Sequence, residues 1–201
     1  MKKKMTFRAD YGICRWPTRL WTVDQYHRAI EHGILLPEDG CELLSGWIVE
    51  RPMSTPREAY SISALMNWLG RHLSDDWRVG GRYPITMPES EPEPDIVVFT
   101  GEQGQYWNRH PNPSDVVLVV EVCESTWEMD FGEKLRLFAT HGIEQYWIVN
   151  IPEHRVEVYT DPQSGKNPRY QRRIEYATGT DIPLTLAGQI VGTLPVSEFL
   201  A

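Results

Sequence analysis

The alternation of apolar and polar positions divides this chain into short, distinct elements. Val23, Tyr26 and Ile30 recur at helical spacing behind Thr22, whose Gln25 three residues on completes a capping box. Gly33 is the predicted stop, and Pro37 to Gly40 a turn. Cys41 to Glu50 reads as two short strands about Ser45-Gly46. A longer helix follows, with Ile62, Leu65, Met66, Leu69 and Leu73 on one face and Ser74-Asp75-Asp76 at its end. Trp77 to Met87 is expected to be a strand pair or one bent strand, with Pro84 at an edge or bulge.

The middle of the chain is more apolar. Asp95 to Phe99 predicts a strand, and Val116 to Val122 predicts one buried on both faces. A third helix places Phe131, Leu135, Phe138 and Ala139 on one face and ends at Gly142. Gln145 to Asn150 is a further buried strand. Strand, helix and strand in that order imply at least one parallel pair. Arg155–Thr160 and Tyr170–Tyr176 read as a solvated hairpin about the 161–167 loop. The tail holds a strand near Leu184–Leu186 and a short final element ending at Leu200. The fold class expected is mixed α/β (α+β), one central mixed sheet flanked by helices. Residues 1–19 form an irregular arm and residues 20–201 a single domain.

Composition narrows the function classes. In 201 residues, 41% are hydrophobic and 24% charged, ordinary for a globular protein. No apolar run approaches the roughly 20 residues that span a bilayer. The stretch after Met1-Lys2-Lys3-Lys4 lacks a signal-peptide core, so a cytoplasmic location and no membrane partner are expected. Cys14, Cys41 and Cys123 are far apart and read as small buried hydrophobes. The net charge of −8 argues against a broadly basic nucleic-acid surface but leaves room for a local groove.

Two carboxylates change the picture. Asp95 and Glu121 each sit at the end of an apolar strand, where a carboxylate is costly without a partner or cation. Asp95 and Val116 begin consecutive strands, so the two acids can meet. They suit a hard ion such as Mg²⁺, which takes one or two carboxylates plus waters and phosphate oxygens. The alternative for each is a strand-end cap or an arginine pair. By alternation Cys123 shares a face with Glu121, and its backbone carbonyl is a candidate third ligand; its thiol is too soft for Mg²⁺. Asp130 and Lys134 stand at i and i+4, an ordinary helical ion pair. Lys134 is also placed to orient water and offset charge growing on a phosphate. None of the six histidines has ligand spacing, so none is assigned to metal.

Glu91-Pro92-Glu93-Pro94-Asp95-Ile96, Leu118-Val119-Val120-Glu121-Val122, Ser125, Asp130, Lys134 and Gly142-Ile143-Glu144-Gln145-Tyr146-Trp147-Ile148-Val149 together resemble the Uma-type restriction endonuclease family, within the PD-(D/E)XK nuclease superfamily. Cys41-Glu42-Leu43-Leu44-Ser45-Gly46 is similar to that family's Glu-Leu hairpin, and the likeness runs from about Leu20 to Leu200. The resemblance implies a restriction-endonuclease-like core. It implies hydrolysis of phosphodiester bonds in nucleic acid, expected to be DNA, by a water that Mg²⁺ or Mn²⁺ activates. Asp95 and Glu121 would be metal ligands. Lys134 would be the catalytic lysine, moved from the strand to the next helix as in that family. The family often opens its second helix with histidine, where this chain has Glu58. Glu58 is either an accessory acidic ligand or a first-turn glutamate favoured by the helix dipole, and the second reading is preferred. Glu42 and Asp130 are further accessory candidates.

Other residues keep two readings. Tyr106 and Trp107 could stack on a base or cover the core edge, the latter preferred. Arg169, Arg172 and Arg173 are a solvated hairpin face or a phosphate-contacting patch. A nuclease fold without turnover, serving as a nucleic-acid or protein binding module, is the main alternative function. A glycosidase would need paired carboxylates without lysine or metal and ranks last. Nucleases of this class often pair to cut both strands, so a homodimer is open, although no pattern marks an interface.

Overall fold

The computed structural model describes residues 19–102, 104–124 and 129–200, with side chains in the last range from Gly132 onward. The expected arm before Arg19, the Ser125 position and the Asp130 side chain lie outside the described residues.

Helix α1 (Val23–Glu31) starts with the expected capping box: Gln25 N–H donates to the Thr22 hydroxyl and the Gln25 side chain accepts from Thr22 N–H. Its buried face is Tyr26 and Ala29, while Ile30 is exposed. The expected Tyr26–Ile30 stripe is thus rotated, because α1 lies over the β1–β2 edge, where the Tyr26 hydroxyl donates to the Cys41 carbonyl. Strands β1 (Cys41–Leu44) and β2 (Trp47–Glu50) form the predicted hairpin. Ser45 and Gly46 both have positive φ (50° and 81°), as a type I′ turn requires. A Cβ on Gly46 would lie 2.7 Å from Leu20 Cβ, so glycine also permits that close approach.

Helix α2 (Pro56–His72) has proline at its first position and a Thr55–Glu58 capping box, and it buries Leu65, Trp68 and Leu69. Strand β3 covers only Trp77–Gly81. The expected continuation to Met87 is irregular: Pro84 cannot donate to a ladder, and Ile85 and Thr86 bond instead to the Pro92 and Pro111 carbonyls.

The central sheet has six strands in the order β3, β4 (Ile96–Thr100), β5 (Val116–Cys123), β6 (Gln145–Asn150), β7 (Arg155–Gln163), β8 (Arg169–Ala177). Only β5 and β6 are parallel; the other pairs are antiparallel. All eight residues of β5 are buried, since both faces are covered. Leu118, Val120 and Val122 meet α2 and the chain's end at Val196, Phe199 and Leu200. Val119 and Cys123 meet Leu44 of β1 and Leu137–Ala139 of helix α3 (Leu135–Thr140). Each buried aliphatic side chain contributes about 1.5–3 kcal/mol. A few such neighbours offset the several kcal/mol of desolvating one carboxylate in their midst.

Three further expectations change. The third helix opens as a π-helical turn, Met129–Lys134, before α3 begins. The Arg155–Tyr176 hairpin is longer than predicted and joins the main sheet; β7 is buried along Val156–Tyr159 and only β8 is largely solvated. The tail strand is one arm of a hairpin, β9 (Asp181–Leu186) with β10 (Gln189–Pro195). Gln189-Ile190 hid the second arm, since Ile190 points into solvent. No described helix is long and apolar enough to cross a membrane.

Candidate active site

The register of β4 on β5 explains how residues 26 apart in sequence meet. Ile96 pairs with Val120, so Asp95, one step before β4, lies beside Glu121, one step further along β5. Asp95 N–H lies 3.4 Å from Glu121 Oε2. Asp95 Oδ2 accepts Val122 N–H at 2.9 Å, and its carbonyl accepts Arg82 N–H at 3.2 Å. Burial pushes the Asp95 carboxyl up from its ordinary range. The Val122 hydrogen bond and the charges of Lys134, Arg82 and Arg51 oppose that rise without cancelling it.

Glu121 shares the face of Val119 and Cys123, beneath the crossover between β5 and β6. That crossover carries Lys134 on the last residue of the π-helical turn, a geometry concentrated at functional sites. Lys134 is only 2% exposed. Its Nζ donates to Glu121 Oε1 at 2.7 Å and lies 3.0 Å from Glu42 Oε1. The second contact is ionic and outside hydrogen-bond geometry, which leaves Glu42 Oε1 as a buried oxygen without a hydrogen bond. Glu42 Oε2 accepts Glu93 N–H at 2.9 Å, so β1 is tied to the segment leading into Asp95. Burial pushes the Glu93 carboxyl up; Arg51 draws it down and Glu42 adds to the rise. Three buried carboxylates, Glu42, Asp95 and Glu121, therefore gather around one buried ammonium among the described residues.

The structure brings together Asp95, Glu121, Lys134 and Glu42. Glu58 stands in the first turn of α2. Its Oε2 accepts Thr55 N–H at 2.7 Å and its Oε1 accepts Glu124 N–H at 2.9 Å, so it caps α2 and latches it to the end of β5. Glu124 returns the contact to the Thr55 hydroxyl and Arg57. The Cys123 carbonyl accepts Ile151 N–H at 3.0 Å. Tyr106 covers the core edge, edge-on to Phe99 at 4.9 Å. Trp107 does not: it is 86% exposed, because the turn after Gly104 carries it outward. Arg173 is bound by Glu157 and Glu175, and Arg172 lies 3.9 Å from Asp161. An apolar hollow beside α1, lined by Leu20, Trp21, Ala29 and Ile34 among others, includes none of the site carboxylates.

Comparison with known proteins places the chain in a family. The model of the family described as "Putative restriction endonuclease" (Uma2) matches residues 21–195. The chain belongs to that family. The match spans both halves of the site, from the β1 hairpin that carries Glu42 to the sheet that carries Asp95 and Glu121. Among solved structures, the chain is similar to a protein of Anabaena variabilis ATCC 29413 described as "a putative nuclease belonging to DUF820". Identity is 16% and the TM-score 0.67, over 89% of this chain and 96% of that one. At that identity the likeness concerns the fold. No curated protein matches the chain.

Sequence reading ranked Glu42 only as an accessory candidate and missed a histidine cluster altogether. Glu42 touches Lys134 directly; the sign available was a glutamate set against Leu43-Leu44 in a strand, buried like Glu121 in its own apolar run. His27 and His110 both converge on buried Glu91, from positions too far apart to form a local motif.

Proposed function

We propose that this chain is a metal-dependent nuclease that hydrolyses phosphodiester bonds of nucleic acid, with DNA the expected substrate. The observation that carries the reading is the clustering of acids: among the described residues, Glu42, Asp95 and Glu121 are buried about a single buried lysine, Lys134. Carboxylate oxygens are the donors that Mg²⁺ or Mn²⁺ prefers, so the residues fit the ion that the family implies.

Asp95 and Glu121 would hold it. Cys123 would add a third oxygen only by sharing a carbonyl that already accepts Ile151 N–H. When bound, the ion supplies Lewis-acid stabilisation of the phosphate and a more acidic water. Lys134, held by Glu121 and Glu42, orients the attacking water and offsets negative charge that grows on the phosphate oxygens. Val122 N–H fixes the Asp95 carboxylate, and Glu93 N–H fixes that of Glu42, so the acids need little reorganisation. Glu58 is a capping residue in this reading.

The test is cleavage of plasmid DNA, short duplexes and RNA with Mg²⁺ and with Mn²⁺. Cleavage that EDTA stops and Asp95→Ala abolishes is expected. The absence of cleavage on every substrate, or equal cleavage by Asp95→Ala, overturns the proposal and favours a binding module built on the nuclease fold.

A further inference from the structure

A second constellation lies outside the carboxylate site. Glu91, 4% exposed at its side chain, sits in the segment that leads into β4. Its backbone is paired on both sides with Leu43 of β1, through Leu43 N–H to the Glu91 carbonyl (3.3 Å) and Glu91 N–H to the Leu43 carbonyl (2.7 Å). Its Oε1 lies 2.7 Å from His27 Nε2 on α1. Its Oε2 accepts the Thr86 hydroxyl at 2.7 Å and lies 3.7 Å from His110 Nδ1, in the loop between β4 and β5. The two imidazoles stand nearly perpendicular, centroids 6.4 Å apart. All three ligand atoms fall within 4.8 Å of one another.

We infer that His27, Glu91 and His110 form a binding site for a borderline transition-metal ion, Zn²⁺ by donor type, separate from the nuclease centre. Two imidazole nitrogens and one carboxylate are a familiar three-ligand Zn²⁺ set, with water in the fourth position. Bonds of about 2.0–2.1 Å in a tetrahedron separate the ligand atoms by about 3.3 Å. The contacts of 2.7 and 3.7 Å straddle that spacing, so small rotations of two partly exposed rings complete the set. The Thr86 hydroxyl already orients the carboxylate, as outer partners of metal ligands do.

Ion pairing is the competing account, since the hydrogen bond with Glu91 raises the His110 imidazole above its ordinary range. One carboxylate can balance one imidazolium, and two charged rings at a single glutamate repel each other. Two nitrogens converging on one buried oxygen pair instead suit neutral rings sharing a cation. The three ligands come from α1, the segment before β4 and the loop after it. A bound ion would therefore fasten the outer helix and that loop to the stretch that delivers Asp95 and, through Glu93, engages Glu42.

The test uses the full chain, stripped with EDTA, dialysed and titrated with ZnCl₂ by calorimetry, with Co²⁺ absorption as a spectroscopic report of nitrogen ligation. One equivalent of Zn²⁺ is expected. Binding should weaken at least about tenfold in both His27→Ala and His110→Ala and persist in Asp95→Asn/Glu121→Gln. Circular dichroism and the thermal midpoint confirm folding of each variant, with His27→Gln as the milder substitute. Absence of binding in the wild type overturns the inference. So does undiminished binding in either folded histidine variant, or loss of binding in the Asp95/Glu121 variant instead. Because no cleavage is measured, the result is independent of the nuclease assignment.

Discussion

Glu157 and Glu121 are both buried carboxylates on interior strands of the same sheet, and their surroundings differ in kind. Glu157 on β7 is fully enclosed and matched: Arg155 lies 3.2 Å from Oε1, Arg173 lies 2.7 Å from Oε2, and the Tyr159 hydroxyl donates to Oε2. Burial, followed by that hydrogen bond to Glu157, raises the Tyr159 phenol above its usual range, so it stays a donor. Both arginines keep partial access to water. Glu121 shares one enclosed lysine with Glu42, and Asp95 adjoins it. A buried acid whose charge is matched on the spot holds a sheet together. Among the described residues the acids at Glu121 outnumber their buried cation, a costly arrangement that suits a bound cation.

The largest effect that would sharpen this contrast is removal of Lys134. In Lys134→Met, Glu42 and Glu121 lose their buried cation, and stability in EDTA should fall by about 3–5 kcal/mol by urea denaturation. Mn²⁺ should restore part of that loss, because a divalent ion can occupy the vacated charge balance. A loss below about 1 kcal/mol would mean that the acids are protonated or hydrated, and the contrast with Glu157 would collapse.

Next in size is Asp95→Asn, for which activity and stability should move in opposite directions. If Asp95 is the metal ligand proposed, cleavage should drop at least about a hundredfold. Metal-free stability should rise by about 0.5–2 kcal/mol, because a destabilised charge is removed from a buried site. The pair of measurements, thermal midpoint in EDTA and single-turnover rate in Mn²⁺, separates a functional carboxylate from a structural one. A variant that loses stability while it keeps its rate would place Asp95 with Glu157.

The converse variant, Glu157→Gln, should cost about 1–3 kcal/mol in chemical denaturation and leave the cleavage rate unchanged. Its arginines can turn to water, so the loss is smaller than for Lys134. A rate that falls while stability holds would show that the β7–β8 arginines serve the substrate.

Why the sequence revealed one acid cluster more readily than the other follows from local pattern. Glu121 interrupts an unbroken apolar run, and Asp95 follows Pro94 at the head of another, so each was conspicuous on its own. Their meeting depended only on consecutive strands pairing antiparallel. Glu157, in Arg155-Val156-Glu157-Val158, has the polar–apolar alternation of a half-solvated strand, and nothing local tells that both its faces are covered. Lys134 was visible as a helical lysine, but the π turn that lodges it inside was not, since hydrophobic period does not separate a widened turn from an α-helical one. Glu42 needed the β1 hairpin folded against the crossover, and His27 with His110 needed three segments to converge. Both are tertiary facts without a spacing signature.

The smallest expected effect concerns the loop rather than the core. Tyr106 and Trp107 are adjacent in sequence, yet the Tyr106 hydroxyl bonds to the Thr100 carbonyl and its ring packs on Phe99, whereas Trp107 stands in solvent. Trp107→Ala should change stability by less than about 0.5 kcal/mol, as for surface positions generally. If the indole stacks on an unpaired base, affinity for a single-stranded oligonucleotide should fall by about 1–3 kcal/mol. Fluorescence anisotropy in the Asp95→Asn background, with EDTA present to suppress residual cleavage, reads that term. Tyr106→Ala provides the contrast, since loss of its contacts with Phe99 and Thr100 should lower stability. Equal affinity with and without Trp107 would assign the exposed indole no part in binding.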